Sequence, residues 1–352
     1  METVFIAMSG GFDSSFAAYL LKQHGYRVIG ITFQLLPEST TNTKNPKACC
    51  SIEMISRARR AADHLSIRHY VLNLQEEFKE YVIDRFIAEY KAGNTPNPCI
   101  LCNRFIKFSS FAKKAFSMGA EKIATGHYAV IDRENDHYFL KKSCDRAKDQ
   151  SYFLYPIERE VLSKTLFPLG KYTKHQLRED AKKLSWNIHN LRESQDICFI
   201  PDNDYRTFLS QYISFKKGPV YYIDGTLLGY HQGIHLFTIG QRRGINIPYN
   251  KPLYVVNILP DENILIVGSK EDLSEKTLNA SEINLLSDAS CKISGKVRYR
   301  QKEEPCSYEI KEDTLHVNFS HPINSVTPGQ SVVLYHGDIV VGGGTIKKRV
   351  SQ

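Results

Sequence analysis

The sequence predicts an α/β domain with a doubly wound parallel sheet, followed by two small β-rich, barrel-like domains. Two observations support this fold class. Up to about residue 205, strand-like and helix-like segments alternate, which is typical of a parallel sheet with helices on both faces. Beyond that point, short β-rich runs alternate with glycine-containing turns, which favours barrels or sandwiches.

The first part opens with a strand, a glycine-rich turn and a helix. The strand is the apolar run Val4–Met8. The helix Ser14–His24 places apolar residues such as Phe16 and Leu20 on one face, and Gly25 ends it. The same criteria predict strands at Arg27–Phe33, Arg68–Leu72 and Lys122–Thr125, and helices at Ile52–Leu65, Glu76–Lys91 and Phe105–Met118.

The β-rich part is predicted to form two domains. A polar stretch near Ser281–Ser290 has no strong hydrophobic pattern and divides this part of the chain. We therefore predict domains at residues 1–205, 206–282 and 283–352. The predicted strands are Val220–Ile223, Leu253–Leu259, Ile264–Val267, Lys292–Arg300, Thr314–Phe319 and Ser331–Tyr335.

Composition and charge narrow the class of protein. The chain has 352 residues, of which 42% are hydrophobic and 24% charged, as in ordinary globular proteins. Its formal net charge of +8 permits a nucleic-acid partner without requiring one. No apolar run approaches the ~18 residues of a membrane span, and the N-terminus lacks a signal-peptide pattern. We expect a cytoplasmic protein with no membrane partner.

A glycine- and serine-rich loop, Ser9–Ser15, lies between the first strand and the first helix. Glycines bring backbone N–H groups close to a ligand, and the helix N-terminus favours an anion there. Asp13 is a candidate ligand for a metal ion bound to phosphates. The loop is therefore predicted to bind a pyrophosphate group. The alternative is an ordinary turn in which Asp13 or Ser14 caps the helix.

Three of the eight cysteines are candidates for chemistry. In a chain of this length without a signal peptide, the cysteines do not indicate a disulfide framework. Cys99 and Cys102 form a C-x-x-C pair just before a predicted helix, which favours a reactive thiolate. No second such pair exists to complete a zinc site, so a redox or cluster role is favoured. Cys198 lies among apolar residues, and its local pattern alone favours a buried core thiol.

The loop Ser-Gly-Gly-Phe-Asp-Ser-Ser resembles the PP-loop of ATP pyrophosphatases, in which valine is usual where this chain has Phe12. Members of that class cleave ATP between the α and β phosphates and adenylate an oxygen of their substrate. Further motifs lie along nearly the whole chain: Ser9–Ser15, Cys49-Cys50, Thr95–Phe108, Thr125–Tyr128, Lys148–Tyr152, Phe167–Gly170, Ser194–Ile200, Phe237–Gly244, Val297–Gln301 and Pro328–Gln330. Together they resemble the bacterial tRNA-specific 2-thiouridylase family.

The resemblance implies a first domain of the PP-loop ATPase type and ATP-dependent 2-thiolation of the wobble uridine (position 34) of tRNA. In that reaction the C2 oxygen is adenylated, and sulfur from a cysteine persulfide replaces it, giving 2-thiouridine and AMP. Cys198 would carry the persulfide delivered by a sulfur-donor protein, and Cys102 would release the sulfur, leaving a disulfide to be reduced. ATP and Mg²⁺ are the implied cofactors, and a monomer is expected.

The resemblance also implies particular site residues. The implied nucleotide-binding residues are Ala7, Met8, Ser9, Gly10, Gly11, Phe12, Asp13, Ser14, Phe33 and Gly126. Those implied to face the target base are Asn97, Pro98 and Cys99. Those implied to contact tRNA are His127, Lys148, Asp149, Gln150, Arg298, Tyr299 and Gln330. For isolated basic residues, a solvated surface position is the ordinary alternative.

Several alternatives stay open. Some relatives have aspartate at the position of Cys99, and the three thiols Cys99, Cys102 and Cys198 could instead hold an iron–sulfur cluster. The pair Cys49-Cys50 has no assigned role, and the choice of tRNA is not specified. A PP-loop ligase that adenylates a small metabolite would share the phosphate loop but would not need the three thiols. A non-catalytic RNA-binding or iron–sulfur protein is disfavoured by the intact Ser9–Ser15 loop.

Overall fold

The computed structural model describes residues 1–37, 52–184, 197–200, 204–289 and 291–348. It divides into two compact units. The first contains Met1–Ile83, Pro98–Tyr205 and Asp338–Val340, and the second contains Asp84–Asn97, Arg206–Gly337 and Val341–Gln352. Cys49, Cys50 and the Ser194–Asp196 part of the Cys198 motif lie outside the described residues.

The first unit is built on a five-stranded parallel sheet, which confirms the predicted fold class. The strand order is β3-β2-β1-β4-β7, and every pair in it is parallel. Two further strands, β5 and β6, form an antiparallel hairpin. The strands are β1 (Thr3–Ala7), β2 (Arg27–Gln34), β3 (Arg68–Asn73), β4 (Lys122–Ala124), β5 (Ala129–Glu134), β6 (His137–Lys142) and β7 (Thr165–Leu166).

Helices follow most of the strands of this sheet. The α-helices of the described chain are α1 (Phe12–Gln23), α2 (Ile52–His64), α3 (Gln75–Phe78), α4 (Arg85–Lys91), α5 (Pro98–Leu101), α6 (Phe111–Ser117), α7 (Arg159–Ser163), α8 (Lys174–Lys182) and α9 (Tyr205–Ser210). Segments Lys79–Asp84 and Cys102–Ser110 are π-helical, and Ser151–Phe153, Ile234–Leu236 and Glu271–Leu273 are 3₁₀ turns. None of the described helices has both the length and the hydrophobicity to cross a membrane.

The core of the first unit forms around the central strand β1. Val4 and Ile6 of β1 are fully buried, and Phe12 and Phe16 of α1 pack in the same cluster with their rings stacked 5.6 Å apart. An apolar strand buried on both faces is what a central parallel strand requires. This packing fixes the turn between β1 and α1 at the carboxyl edge of the sheet.

The helix that follows the C-x-x-C pair begins earlier than predicted. The segments Pro98–Leu101, Cys102–Ser110 and Phe111–Ser117 run without a break, whereas the sequence predicts a start at Phe105. Proline is favoured in the first turn of a helix because its missing N–H has no partner there in any case. Cys99 therefore lies within the first turn of this helix, not in a loop before it.

The second unit contains a four-stranded sheet and a closed barrel. The sheet order is β10-β11-β8-β9, and the barrel order is β12-β15-β14-β13-β16-β17, closed by a β12–β17 pairing. The strands are β8 (Gly218–Tyr222), β9 (Leu227–His231), β10 (Tyr254–Leu259), β11 (Ile264–Gly268), β12 (Ser274–Leu285), β13 (Ile293–Lys296), β14 (Glu304–Lys311), β15 (Thr314–Asn324), β16 (Ser331–His336) and β17 (Ile339–Ile346).

Strand β12 continues through part of the stretch that the sequence indicates as a break. Its residues pair with β15 and then with β17, with register shifts in both ladders. Every second residue of such a strand faces solvent, so a polar sequence is compatible with it. The predicted domain boundary between residues 282 and 283 falls inside this strand.

We expect Gly170→Ala to destabilise the protein, because a Cβ at Gly170 would lie 1.7 Å from the backbone oxygen of Ala129. Overpacking of this kind costs about 1–3 kcal/mol or more. Gly229→Ala is the matched control, since its Cβ would meet only the side chain of Ile247, at 3.3 Å. Thermal unfolding followed by circular dichroism should show a drop of several degrees for Gly170→Ala alone. Equal melting temperatures for the two variants would contradict this packing.

Candidate active site

The loop between β1 and α1 has the geometry of an anion-binding turn. Gly10 adopts a φ of 70°, and a Cβ there would lie 2.5 Å from the backbone oxygen of Met54, so both conformation and space require glycine. The Ser14 hydroxyl donates to Gly11 O at 3.2 Å and accepts from the Ser9 N–H at 3.1 Å. The loop is thereby closed in front of the N-terminus of α1, where partial positive charge favours an anion.

Asp13 of this loop is held by two partners. Lys174 Nζ lies 2.7 and 2.9 Å from its two carboxylate oxygens, and the Tyr128 hydroxyl donates to Oδ1 at 2.7 Å. Lys174 is 7% exposed, and its ammonium lies 5.3 Å from the ring centroid of Phe12. A buried lysine needs such a counter-charge, because an unpaired charge in the interior is costly. No sequence pattern distinguishes Lys174 as the partner of Asp13.

The end of β4 packs directly against the loop. A Cβ at Gly126 would lie 2.8 Å from the backbone nitrogen of Ser14, so any other residue would displace the loop. Strands β1 and β4 are parallel neighbours, and their carboxyl ends therefore meet at one edge of the sheet. This edge is where open α/β sheets bind their ligands.

One cavity of about 320 Å³ brings most of the predicted site residues together. Its size is within the range of small-molecule sites. Among the predicted nucleotide-binding residues, Gly10 alone is not part of its lining. The predicted residues that line it are Ala7, Met8, Ser9, Gly11, Phe12, Asp13, Ser14, Phe33, Pro98, Cys99, Cys102, Gly126, His127, Gln150 and Cys198. The phosphate loop and the three candidate thiols thus share a single cavity.

The three cavity thiols differ in exposure. Cys99 is exposed, whereas Cys102 and Cys198 are half-buried, and none of the three is in a disulfide. Within the described ranges, no three or more side chains of His, Cys, Asp or Glu are grouped as metal ligands. The cavity therefore brings Cys99, Cys102 and Cys198 to one site without arranging them as a ligand set.

A cysteine outside the cavity has a different environment. Cys306 lies on β14 in the second unit, half-buried against the barrel core. Burial, reinforced by the nearby Glu304 carboxylate, raises the pKa of the Cys306 thiol to about 12. This thiol is chemically quiet at neutral pH.

His127 lies in the cavity wall between two polar neighbours. Its Nδ1 is 2.6 Å from the Thr125 hydroxyl, and its Nε2 is 3.3 Å from Lys107 Nζ. Burial, and then the Lys107 ammonium, hold the pKa of His127 well below its usual value. Because an ammonium only donates, Nε2 must be the acceptor, which assigns the proton to Nδ1. No sequence pattern identifies Lys107 as the partner of His127.

Two residues implied to contact tRNA bond inside the first unit. Asp149 is buried, and its carboxylate accepts from the Ser143 and Ser151 N–H groups and the Ser151 hydroxyl. Gln150 accepts from the Tyr128 N–H through Oε1 at 2.9 Å. Lys148 is half-exposed. Contact with tRNA stays a prediction for all three.

The remaining implied tRNA contacts lie in the second unit. Arg298 donates to Ile239 O at 2.7 Å and to the Thr327 hydroxyl at 2.5 Å. Gln330 donates to Thr95 O at 2.7 Å, and Thr95 N–H donates in turn to Pro328 O at 2.9 Å. These bonds fix the backbone before Asn97. The half-exposed ring of Tyr299 lies 5.8 Å from Lys296 Nζ.

Fold and site together define a nucleotide-binding protein with a HUP-type α/β domain. The model of the tRNA methyl transferase HUP domain matches residues 2–202. That of the tRNA methyl transferase PRC-barrel domain matches residues 206–269, and that of the aminomethyltransferase β-barrel domain matches residues 275–346. Relatives along the full length then specify the family.

The tRNA-specific 2-thiouridylase MnmA of Halothermothrix orenii is 46% identical, with 99% of each chain covered. That of Clostridioides difficile is 45% identical over 99% of this chain and 98% of its own. The chain belongs to the tRNA-specific 2-thiouridylase family. The crystal structure of a predicted subunit of tRNA methyltransferase from Methanocaldococcus jannaschii aligns with 52% of this chain and 75% of its own, at 20% identity and a TM-score of 0.33.

The lowered pKa of His127 predicts a pH-dependent stability. Below about pH 6.5 His127 is protonated in the unfolded protein but stays neutral in the folded one. The contribution of His127 to the free energy of unfolding is therefore fully present above that pH and is lost as the pH falls. The slope is at most about 1.4 kcal/mol per pH unit for one group. We expect His127→Gln to lose less melting temperature than the wild type between pH 7.5 and 5.5.

His175→Gln, at an exposed position on α8, is the control and should follow the wild-type pH profile. Differential scanning calorimetry of the three proteins measures the effect. Parallel profiles for wild type and His127→Gln would contradict a neutral His127.

Proposed function

We propose that this protein is an ATP-dependent tRNA-uridine 2-sulfurtransferase that converts the wobble uridine of tRNA to 2-thiouridine. One observation carries the proposal: the phosphate loop and Cys99, Cys102 and Cys198 line the same cavity. A ligase for a small metabolite would need the loop alone. The names of the relatives, tRNA-specific 2-thiouridylases along the full chain, support the same reaction.

The first proposed step is adenylation. The phosphate loop and the N-terminus of α1 bind the ATP phosphates through backbone N–H groups. The C2 oxygen of the uridine attacks the α-phosphorus, and pyrophosphate leaves. This step replaces a poor leaving group, the carbonyl oxygen, with AMP, a good one.

Asp13 is compatible with a metal ion at the phosphates. Its Oδ1 accepts from both Lys174 and Tyr128, whereas Oδ2 accepts from Lys174 alone. A carboxylate oxygen accepts two bonds, so Oδ2 has one position left for Mg²⁺. Mg²⁺ commonly takes one or two carboxylates together with substrate phosphates, and it supplies charge neutralisation there.

The second proposed step is sulfur transfer. A sulfur-donor protein loads Cys198 as a persulfide, and the terminal sulfur attacks C2 of the adenylated uridine. The Cys102 thiolate then attacks the Cys198 sulfur, the sulfur–sulfur bond breaks, and AMP departs with the C2 oxygen. A Cys102–Cys198 disulfide remains and is reduced for the next turnover. This mechanism needs no iron–sulfur cluster.

Basic residues of the second unit are proposed to bind the rest of the tRNA. Arg242 and Arg243 are exposed, as are Lys216 and Lys217. Such residues bind phosphates, which position the RNA more than they read its sequence. An unpaired anticodon base can turn into a pocket at modest cost. We further propose a monomeric, cytoplasmic enzyme with a domain division at residue 205, whereas the second division predicted at residue 282 would cut strand β12.

Asp13→Ala is expected to abolish tRNA-dependent AMP formation and to leave tRNA affinity within about twofold of wild type. The substitution removes the loop carboxylate and its ion pair with Lys174, whereas the basic residues of the second unit are untouched. Release of AMP from labelled ATP and filter binding of tRNA measure the two effects.

Asp63→Ala, at an exposed position on α2, is the control and should keep both activities. AMP formation by the wild type without tRNA, with no 2-thiouridine by mass spectrometry of tRNA nucleosides, would point to a small-metabolite ligase. Equal loss of tRNA binding and AMP formation in a folded Asp13→Ala protein would also count against the assignment.

The proposed mechanism predicts different effects on activity for substitutions at the individual cysteines. Under the persulfide mechanism, Cys102→Ser and Cys198→Ser should form no 2-thiouridine but still release pyrophosphate from ATP when tRNA is present. Cys99→Ser, assayed without oxygen, should keep substantial activity and bind no iron. Cys144→Ser, at an exposed cysteine that does not line the cavity, is the control. Loss of activity in Cys99→Ser, together with about four irons per wild-type chain, would instead establish a cluster.

A further inference from the structure

The segment that carries Cys102 is wound as a π-helix. In Cys102–Ser110 the wider turn ends with the Phe111 N–H donating to Ile106 O, five residues back. On an α-helix, residues five apart lie about 140° apart around the axis. The wider π-turn, with its i→i+5 bonds, brings them closer to one side, and such turns occur frequently at functional sites. Cys102 and Lys107 both line the cavity.

The Lys107 ammonium is held in the cavity by a neutral partner. His127 accepts one of its protons through Nε2 at 3.3 Å, and Thr125 fixes the ring through Nδ1 at 2.6 Å. In the described part of the chain, no carboxylate lies within 4.0 Å of Lys107 Nζ. Lys174, which lies beside the phosphate loop, is by contrast neutralised by Asp13. Lys107 thus brings to the cavity wall a positive charge that, among the described residues, has no carboxylate within ion-pair distance.

The position of this charge relates it to the adenylation chemistry. His127 follows Gly126, whose backbone touches the phosphate loop at Ser14. Lys107 contacts His127, which lies next to the loop, and Lys107 belongs to the same helical segment as Cys102. In the proposed reaction, the uridine C2 oxygen attacks the α-phosphate of ATP bound at the loop, and the sulfur then attacks C2 of the uridine. The α-phosphate gains negative charge as AMP departs.

We propose that Lys107 is a further catalytic residue, whose ammonium binds the α-phosphate of ATP and of the adenylated uridine. This assignment rests on the proposed function. As the bond between C2 and oxygen breaks, its electron pair passes to the departing AMP phosphate. Lys107 donates a hydrogen bond to that phosphate and keeps its proton. His127 and Thr125 are positioning residues for the ammonium. A fixed charge of this kind stabilises a transition state without reorganisation.

The test compares Lys107→Met, Lys107→Arg and the control Lys113→Met, at an exposed lysine on α6. Loss of one preorganised donor costs about 10²–10³-fold in rate. We expect Lys107→Met to slow single-turnover, tRNA-dependent AMP formation about 100-fold, while tRNA affinity stays within about twofold. Lys107→Arg should recover part of the rate, and Lys113→Met should match the wild type. If Lys107→Met unfolds, Lys107→Gln keeps a polar end without the charge and replaces it.

A second measurement separates the phosphate from the thiol. The pH dependence of Cys102 alkylation by iodoacetamide, read by mass spectrometry, should be the same in wild type and Lys107→Met. A profile moved to higher pH, with AMP formation unchanged, would assign Lys107 to the Cys102 thiolate and overturn the proposal. Unchanged AMP formation alone would overturn it too. A wild type that releases no AMP with tRNA would overturn the proposed function itself, whatever the variants do.

Discussion

The close approach of Gly126 to the phosphate loop is the constraint on which the site depends. A side chain at this position would collide with the backbone at Ser14, so the end of β4 reaches the loop only as glycine. The contact places Thr125 and His127 beside the loop, and His127 in turn holds Lys107. In a parallel sheet, the carboxyl ends of β1 and β4 lie at the same edge. The absence of a side chain at Gly126 lets the segment after β4 approach the loop closely.

Charge in the first unit is arranged in two distinct ways. At the loop, Asp13 and Lys174 neutralise each other, with Tyr128 completing the bonds of the carboxylate. A buried pair of this kind contributes little net stability but becomes costly when one partner is removed. At the helix of Cys102, the neutral His127 holds Lys107 without cancelling its charge. The first arrangement holds the loop carboxylate in place, whereas in the second a neutral partner positions a cationic side chain in the cavity wall.

Much of the first unit could be predicted from the sequence, because several local signals agree there. The β1 strand, its glycine turn and α1 follow from an apolar run, a motif and a helical periodicity that all agree. The helix start at Pro98 precedes the predicted start at Phe105, because a proline fits a loop as well as the first turn of a helix. The β5–β6 hairpin was missed because its turn, Asn135-Asp136, with positive φ at both residues, lies in a charged stretch.

The partners of the site residues were not predictable, because they join distant parts of the chain. Asp13 and Lys174 are 161 positions apart, and Lys107 and His127 are 20 apart. Periodicity is a local signal, and no local pattern distinguishes Lys174 from other lysines of an amphipathic helix. The resemblance to a family identified the thiols, whose common cavity then depends on tertiary structure.

The raised pKa of the Cys306 thiol has a consequence for the proposed sulfur transfer. With its pKa raised to about 12, the Cys306 thiol is almost wholly protonated at neutral pH. Persulfides exchange with thiolates, not with thiols. Under the proposed persulfide mechanism, Cys306 is therefore a poor acceptor for the transferred sulfur.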